Sequence, residues 1–364
     1  MRDGFSALGD LQHNKLRIPN RLAELRANLL GWYEQNRRDL PWRRTRDPYA
    51  IWVSEIMLQQ TRVAAVVERY EAFLRSFPTV LALGQAAEAD VLALWSGLGY
   101  YRRARMLHRA AQQIASEFGG VMPATAVGLR DLPGIGAYTS AAIASIAYGE
   151  PVAVVDGNVA RVVQRLAGWG SDAASGRATL MRETEAMANA LLDPGRPGDF
   201  NQAMMELGAT VCLPRNPQCL TCPIRAHCLT RGEHPTPKRA RMRSEDAAYA
   251  LVVRESGDTQ VFPEVLLFQR SSKKTVMPGL WELPVLRETR VPEARVRLTV
   301  RHAIMQVNYT VRIRRILEEE VEGLTIPSGE RKWVRVCDLD MLPLTGLARK
   351  VLLRSRLPEL AMGQ

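Results

Sequence analysis

The hydrophobic pattern divides the chain into a helical part and a strand-rich part. From Arg21 to about Leu207, apolar residues recur at three- and four-residue spacing, in segments such as LAELRANLLGWYEQ and ARMLHRAAQQIASEF. This spacing places them on one face of a helix. After Ala247 the pattern changes to short runs rich in Val and Leu, such as AYALVV, VLLFQR and YTVRIR, which are typical of strands. The sequence therefore predicts a multidomain protein, with an all-α domain followed by an α+β domain.

Domain boundaries follow from the polar segments around these two parts. Residues 1–18 are polar and predict a flexible N-terminal tail, so the helical domain is expected at 19–233. Residues 234–246 contain HPTPKRARMRS, which is rich in Pro and basic residues and has no apolar period. That composition predicts a basic linker. The α+β domain is expected at 247–356.

Composition narrows the class of partner. The chain has 364 residues, a formal net charge of +11 and a pI of about 9.8, so nucleic acid is the leading partner class. It contains neither an apolar run of about 18 residues nor a secretory signal pattern. We therefore expect a cytoplasmic protein that does not span a membrane. We also expect a monomer.

Four closely spaced cysteines predict a metal site. Cys212, Cys219, Cys222 and Cys228 have the spacing C-x6-C-x2-C-x5-C, and prolines between them break any helix that would bury them separately. Four thiolates so close in sequence suit a [4Fe–4S] cluster or a structural zinc ion, and the spacing alone does not separate the two. The fifth cysteine, Cys337, lies in a strand-like run and is predicted to be a buried core thiol.

A glycine-containing turn between two helical stretches is a candidate phosphate site. The segment LPGIGAYTSAAIASI contains Gly134 and Gly136 just before a helical pattern. Backbone N–H groups at the start of such a helix bind phosphate oxygens without a side-chain charge. A plain helix–turn–helix connection explains the pattern equally well.

Two carboxylates are candidate catalytic groups. Asp156 precedes a helical pattern, where it is expected to cap the helix. The same carboxylate is also suited to stabilising a positive charge that develops in a reaction. Glu55 is flanked by Trp52, Val53, Ile56 and Met57. Apolar surroundings should raise its pKa, as a general acid requires.

These segments resemble known DNA repair enzymes. The cysteine spacing resembles the loop that holds [4Fe–4S] in the endonuclease III superfamily of DNA glycosylases, and LPGIG resembles the helix–hairpin–helix of that superfamily. Four further segments resemble MutY-type adenine DNA glycosylases over most of the chain: PWR (41–43), WVSEIMLQQT (52–61), GLGYYRRAR (97–105) and FNQAMMELGA (200–209). The resemblance implies a helix–hairpin–helix glycosylase fold with a structural [4Fe–4S] cluster bound by the four cysteines.

The resemblance also implies roles for individual residues. Glu55 would protonate adenine at N7 once the base is flipped out of the duplex. Asp156 would face the sugar, with Asn158 beside it in the active site. The bifunctional lyases of the superfamily carry a Lys where this chain has Tyr138. Because Tyr138 cannot form a Schiff base, a monofunctional enzyme that leaves an abasic site is expected.

Other residues are expected at the DNA by the same resemblance. Gln60 and Thr61 would fill the gap left by the flipped base, Tyr100 would stack into the duplex, and Arg43 would contact the DNA. The implied partner is double-stranded DNA that contains an A:8-oxoguanine or A:G mispair.

The C-terminal part resembles the Nudix-like domain of the same family through VLLFQRSSKKTVMPGLWELP (265–284). The run Glu318 to Glu320 lacks the REx2EExG arrangement of Nudix hydrolases, so recognition of 8-oxoguanine without hydrolase activity is expected. The family usually has a Phe-Ser-His turn where this chain has Ile304, Met305 and Gln306. Ile304 is then the expected apolar wedge and Gln306 the expected hydrogen-bond donor.

Three alternative functions stay open from the sequence. One is a pyrimidine-damage glycosylase-lyase of the endonuclease III kind, which Tyr138 disfavours. Another is a non-catalytic DNA-binding protein that retains the iron–sulfur cluster, which the presence of Glu55 and Asp156 disfavours. A Nudix pyrophosphatase is the third, and the missing glutamate motif disfavours it.

Overall fold

The computed structural model describes residues 18–169, 177–234, 242–254, 263–274, 276–286, 293–323, 330–355 and 357. The predicted N-terminal tail lies outside these ranges up to residue 17. Residues 235–241 of the predicted linker lie outside them as well.

Helices account for the regular structure between residues 18 and 210, as the apolar spacing predicts. They are α1 (Ile18–Asn36), α2 (Pro48–Leu58), α3 (Val63–Ser76), α4 (Val80–Gln85), α5 (Glu88–Leu94), α6 (Arg102–Glu117), α7 (Ala126–Arg130), α8 (Ala137–Ala147), α9 (Gly157–Ala167), α10 (Arg177–Leu191) and α11 (Pro197–Thr210). Short 3-10 helices occur at Pro41–Arg43 and within the cysteine segment at Arg225–His227.

The C-terminal part contains a sheet, again as predicted. Its strands are β1 (Arg243–Arg254), β2 (Glu264–Gln269), β3 (Trp281–Glu282), β4 (Val285–Leu286), β5 (Val296–Ile304), β6 (Val307–Ile316) and β7 (Arg331–Arg335), and helix α12 (Gly346–Arg354) follows. The strand order is β3-β2-β1-β6-β5, with β4 paired to β1 and β7 paired to β2. The β1–β6 pair is parallel and the other pairs are antiparallel.

The first strand begins earlier than the sequence predicts. Residues 243–246 were expected in the linker, yet they form the start of β1 and pair with β6 from Arg243 opposite Val307. The prediction failed because Arg243, Ser244, Glu245 and Asp246 are all exposed. A strand start without buried side chains leaves no alternating apolar pattern.

Contacts group the chain into two compact units. The first comprises residues 1–56 and 117–238, and the second comprises residues 57–116 and 239–364. Helices α3 to α5 and nearly all of α6 therefore belong to the same unit as the sheet. The predicted domains at 19–233 and 247–356 follow the change from helices to strands, whereas the compact units divide the helical part in two.

Each unit has its own apolar core. In the first unit, α11 packs against α1, α8 and α9, and residues such as Leu29, Val163 and Phe200 are buried between them. In the second unit, β-strand residues such as Val300 and Val311 pack with Val351 of α12. No helix within the described ranges is both long enough and apolar enough to cross a membrane.

Candidate active site

Glu55 lies on α2 and is almost completely buried. Its exposed fraction is 5%, and neighbouring Trp52 and Val53 are fully buried. The phenol of Tyr138 on α8 donates a hydrogen bond of 2.7 Å to Oε2 of Glu55. Burial raises the pKa of Glu55 to about 7, although the Tyr138 hydrogen bond acts in the opposite direction. A carboxyl group with this pKa is partly protonated near neutral pH, which suits a general acid.

Tyr138 is held as a hydrogen-bond donor. Burial, together with the charge of Glu55, raises the pKa of Tyr138 well above its usual value, so the phenol keeps its proton. Its Oη also lies 3.5 Å from Sδ of Met205. The side chain therefore orients the carboxyl group of Glu55 and offers no ionised oxygen of its own.

Asp156 caps helix α9 and also interacts electrostatically with Glu55. Its Oδ1 accepts a 2.7 Å hydrogen bond from the backbone N–H of Val159, and Nδ2 of Asn158 donates to Oδ2 at 3.0 Å. The negative charge of Asp156 contributes to the raised pKa of Glu55. The two carboxyl groups are therefore close enough to affect each other, while the cap fixes the direction of the half-buried Asp156 side chain.

Arg43 is paired with a buried carboxylate that the sequence reasoning missed. Nη2 of Arg43 lies 2.7 Å from Oε2 of Glu206, and the Glu206 side chain is fully buried. Arg38 donates to both Glu206 oxygens at 2.7 Å, and the guanidinium of Arg43 lies 5.6 Å from the centre of the Tyr33 ring. Burial alone would raise the pKa of Glu206, but hydrogen bonds from Arg38 and Arg43 lower it to about 2.

This ion pair changes the interpretation of Arg43. Its side chain is only 10% exposed, and its positive charge lowers the pKa of Glu55. The structure thus places Arg43 beside the buried acids, and its predicted contact with DNA stays a prediction. An acidic residue inside the apolar segment FNQAMMELGA is the signal that could have identified Glu206.

Hydrogen bonds continue from Asp156 to the cysteine segment. Asn158 accepts a 2.9 Å hydrogen bond at Oδ1 from Nη2 of Arg161. Nε of Arg161 in turn donates to the carbonyl oxygen of Cys212 at 2.8 Å. A continuous chain of side-chain contacts therefore joins the cap of α9 to the first of the four cysteines.

The predicted phosphate turn lies between α7 and α8. Gly134 has φ +77°, in the left-handed region that glycine tolerates. Gly136 precedes α8 as its N-cap, and a Cβ built there would meet no atom within 4 Å. The first backbone N–H groups of a helix have no partner within the helix, so this open turn suits an anionic oxygen.

The four cysteines line a single cavity with about 330 Å³ of empty volume, part of it open to solvent. Nη1 of the buried Arg165 donates to Sγ of Cys212 at 3.3 Å, and the backbone N–H of Arg231 donates to Sγ of Cys228 at 3.5 Å. Burial raises the pKa of the Cys222 thiol to about 11, and the neighbouring cysteines contribute. A cationic metal centre would stabilise the thiolate form against this effect of burial. The four sulfur atoms therefore fit a metal group that is bound by thiolates.

Two turns of the second unit carry the residues predicted to enter the duplex. Gln60 and Tyr100 are both exposed and both adopt left-handed conformations, with φ of 58° and 49°. Oγ1 of Thr61 accepts a hydrogen bond of 3.0 Å from Arg103. These positions are compatible with the predicted role, which stays a prediction.

Comparison with known proteins places the chain in a family. Residues 53–187 match the HhH-GPD superfamily of base excision DNA repair proteins. The adenine DNA glycosylase of Mycolicibacterium smegmatis is 47% identical over 206 residues, which cover 56% of this chain and 68% of that protein. The chain belongs to the adenine DNA glycosylase family of the HhH-GPD superfamily.

The match covers a smaller share of some other family members. The human adenine DNA glycosylase is 49% identical over 215 residues, which cover 57% of this chain but 39% of the human protein. A solved structure of a thermostable thymine-DNA glycosylase is 30% identical with a TM-score of 0.54, and the match covers 58% of this chain and 97% of that one.

Part of the segment VLLFQRSSKKTVMPGLWELP (265–284) packs into the C-terminal sheet. Gly279 adopts φ +70°, while Leu280 and Trp281 are buried and Trp281 belongs to the core of the sheet. The strands β5 and β6 are joined by a turn at Met305 and Gln306, with Ile304 paired to Val307. In this chain of the adenine DNA glycosylase family, Met305 is therefore the exposed apolar tip, at 77% exposure.

The prediction for Cys337 was wrong. The strand β7 ends at Arg335, and Cys337 lies in the 3-10 helix Val336–Met341 with an exposed side chain. The alternating pattern of KWVRV continued in the sequence as far as Val336, which is buried. Alternation from the buried Val334 and Val336 therefore already places the Cys337 side chain on the opposite, exposed face.

Proposed function

We propose that the protein is a monofunctional adenine DNA glycosylase of base excision repair. The observation that carries the proposal is the buried Glu55 carboxyl, which is hydrogen-bonded by Tyr138 and close enough to the capping residue Asp156 to be affected by its charge. An acid with a raised pKa and a fixed carboxylate are the pair of groups used in glycoside hydrolysis, and the same chemistry suits an N-glycosidic bond.

The chemistry divides between these two carboxyl groups. Glu55 donates its proton to the adenine ring as the bond between C1′ of deoxyribose and N9 of adenine breaks. Asp156 stabilises the positive charge that develops on the sugar, and water adds its hydroxyl to C1′ while its remaining proton passes to solvent. Adenine leaves as the neutral base, and an abasic site stays in the strand. Glu55 recovers its proton from solvent.

Tyr138 supports the monofunctional form of the reaction. Its phenol donates to Glu55 and is held protonated, and it has no amine that could attack C1′. The alternative of a glycosylase-lyase therefore lacks its nucleophile at this position. Similarity to a thymine-DNA glycosylase structure makes thymine opposite guanine the base to compare with adenine.

The proposed partner is double-stranded DNA. The open turn at Gly134 and Gly136 supports a phosphate contact, and the net charge of +11 supports attraction to a polyanion. We propose that the mispaired adenine lies opposite 8-oxoguanine or guanine. The β5–β6 turn, with Ile304, exposed Met305 and Gln306, is the proposed contact of the Nudix-like domain with the opposing base.

The proposed cofactor is a [4Fe–4S] cluster held by the four cysteines. Four thiolates suit either a [4Fe–4S] cluster or a single zinc ion by their chemistry alone. All four cysteines line one cavity, and their C-x6-C-x2-C-x5-C spacing resembles the loop that holds [4Fe–4S] in the endonuclease III superfamily, which favours the cluster. When bound, the cluster would stabilise the cysteine segment, and no electron is needed for the hydrolysis.

A panel of duplexes tests the proposal. Purified protein is incubated with duplexes that contain A:8-oxoguanine, A:G, A:C, T:G or thymine glycol, with and without alkali. Adenine release from the first two duplexes, with strand breaks only after alkali, is expected. Strand breaks without alkali would refute the monofunctional reaction, and release of thymine alone would favour the pyrimidine-specific alternative.

A further inference from the structure

Arg103 connects two turns of the second unit through its guanidinium group. Nη1 donates to the carbonyl oxygen of Met57 at 3.1 Å, and Nη2 donates to Oγ1 of Thr61 at 3.0 Å. Nη2 also donates to the carbonyl oxygens of Leu98 and Gly99, both at 3.3 Å. One side chain therefore holds the turn after α2 and the turn before α6 together.

The same guanidinium lies between two aromatic rings. Its central carbon is 5.5 Å from the ring centre of Trp95 and 5.5 Å from that of Tyr100. Trp95 is fully buried, whereas Tyr100 is 55% exposed. Burial lowers the pKa of Arg103 to about 10, so the group stays charged at neutral pH and its cation–π contacts persist. Tyr100 is thus attached to the core through Arg103.

Each of the two turns presents an exposed residue in an unfavourable conformation. Gln60 has φ 58° and Tyr100 has φ 49°, a region that side chains other than glycine adopt at an energetic cost. Such conformations persist where surrounding contacts fix them. The hydrogen bonds of Arg103 to both turns provide these contacts.

We propose that Arg103 is a positioning residue. It holds the Gln60–Thr61 turn and the Gly99–Tyr100 turn together as one rigid unit that enters duplex DNA when a base is extruded. The inference rests on the proposed function. A polar and an aromatic side chain, held at a fixed separation, can occupy the space of an extruded base and stack beside it. Side chains that are already held rigid lose less conformational entropy on entering the duplex than mobile side chains do.

A positive charge at position 103 is not by itself sufficient to hold both turns. A guanidinium has donors in a fixed planar arrangement and can serve several acceptors at once, whereas an ammonium is a compact point charge. Arg103→Lys should therefore keep the charge but lose the connection to one of the two turns. Arg109, exposed on the same helix α6, provides the matched control for loss of an arginine.

The experiment measures base extrusion and excision separately. Full-length wild type, Arg103→Gln, Arg103→Lys and Arg109→Gln are compared on two substrates under single-turnover conditions with saturating protein. One substrate has adenine paired opposite 8-oxoguanine, and the other has the same adenine in a short unpaired bubble, where extrusion is easier. The fluorescence of 2-aminopurine in place of the adenine reports unstacking.

A selective defect is expected. Arg103→Gln should lower the excision rate on the paired substrate by about 10- to 100-fold and reduce the 2-aminopurine signal, with a much smaller loss on the bubble. Arg103→Lys should show the same selectivity if Arg103→Gln does not fold, and Arg109→Gln should match wild type. Equal losses on both substrates, or none, would overturn the inference. If wild type releases adenine from neither substrate, the proposed function fails, and equal 2-aminopurine signals would then overturn the positioning role independently.

Discussion

The phenol oxygen of Tyr138 lies 2.7 Å from Oε2 of Glu55 and donates a hydrogen bond to it. Within the described residues, it is the only hydrogen bond that the structure gives for the Glu55 carboxyl, and it sets the orientation of that group. It also moderates the effect of burial on the pKa of Glu55, which is about 7. The balance between burial and this hydrogen bond sets the pH range in which Glu55 can act as an acid.

Tyr138→Phe should move the alkaline limb of the reaction to higher pH. A hydrogen bond donated to a carboxylate stabilises its charged form, so its removal raises the pKa of Glu55 further above 7. Because the proton donor must be protonated, the excision rate falls as pH rises through this pKa. We expect the midpoint to rise by about one pH unit in single-turnover profiles. Tyr148→Phe, at the end of α8, is the control, and a midpoint that stays in place or falls contradicts the role of the contact.

Glu55→Gln should increase stability above neutral pH. The folded-state pKa of Glu55 is raised from 4.5 to about 7, so between these values the folded protein binds more protons than the unfolded chain. Stability therefore falls as pH rises through this range, by up to about 3 kcal/mol. The variant lacks this loss, and urea unfolding at pH 5 and pH 8 should show the difference. A wild-type protein with the same pH dependence as the variant would contradict the burial of an ionisable Glu55.

Glu206→Gln should destabilise the first unit. It removes the negative charge that pairs with Arg38 and Arg43, and the largely buried guanidinium of Arg43 loses its ion-pair partner. The free energy of unfolding should therefore fall by about 2–4 kcal/mol at pH 7. Since the folded-state pKa of Glu206 is lowered to about 2, this contribution is present above pH 4.5 and is lost as the pH falls toward 2. Urea unfolding measures it. Glu34→Gln, which breaks an exposed pair with Arg196, should cost only about 0–1 kcal/mol; equal losses in the two variants would argue against a buried ion pair.

The cysteine cavity should contain iron and sulfide. Protein purified without oxygen should show a broad absorption band near about 400 nm and about four irons per chain. Cys228→Ala should lose both, whereas Cys337→Ala should retain them because Cys337 is exposed and outside the cavity. Stoichiometric zinc without iron would contradict the proposed cluster.

Local patterns in the sequence predicted much of the candidate site. Apolar flanks predicted the raised pKa of Glu55, and the residues after Asp156 predicted its role as a helix cap. Both features depend on a few adjacent residues. The helical and strand-rich parts were predicted for the same reason, since periodicity is a local property.

Features that depend on distant residues were not predicted. Glu206 pairs with Arg38 and Arg43 across more than 160 positions of sequence, and no local pattern identifies such a partner. Arg103 is one of several arginines in GLGYYRRAR, and only the structure shows which of them holds both turns. Cys337 shows a different error, because the alternation itself, with Val334 and Val336 buried, assigns residue 337 to the exposed face.

The most direct test of the account is single-turnover adenine release from an A:8-oxoguanine duplex by wild type and by Glu55→Gln, with DNA affinity measured in parallel. Glu55 is proposed to supply the proton that lets adenine leave, and general acid catalysis contributes about 10²- to 10⁴-fold. We expect adenine release by wild type and a rate at least about 100-fold lower for Glu55→Gln, with DNA affinity unchanged. Release of no adenine by wild type, or equal rates for the two proteins, would contradict it.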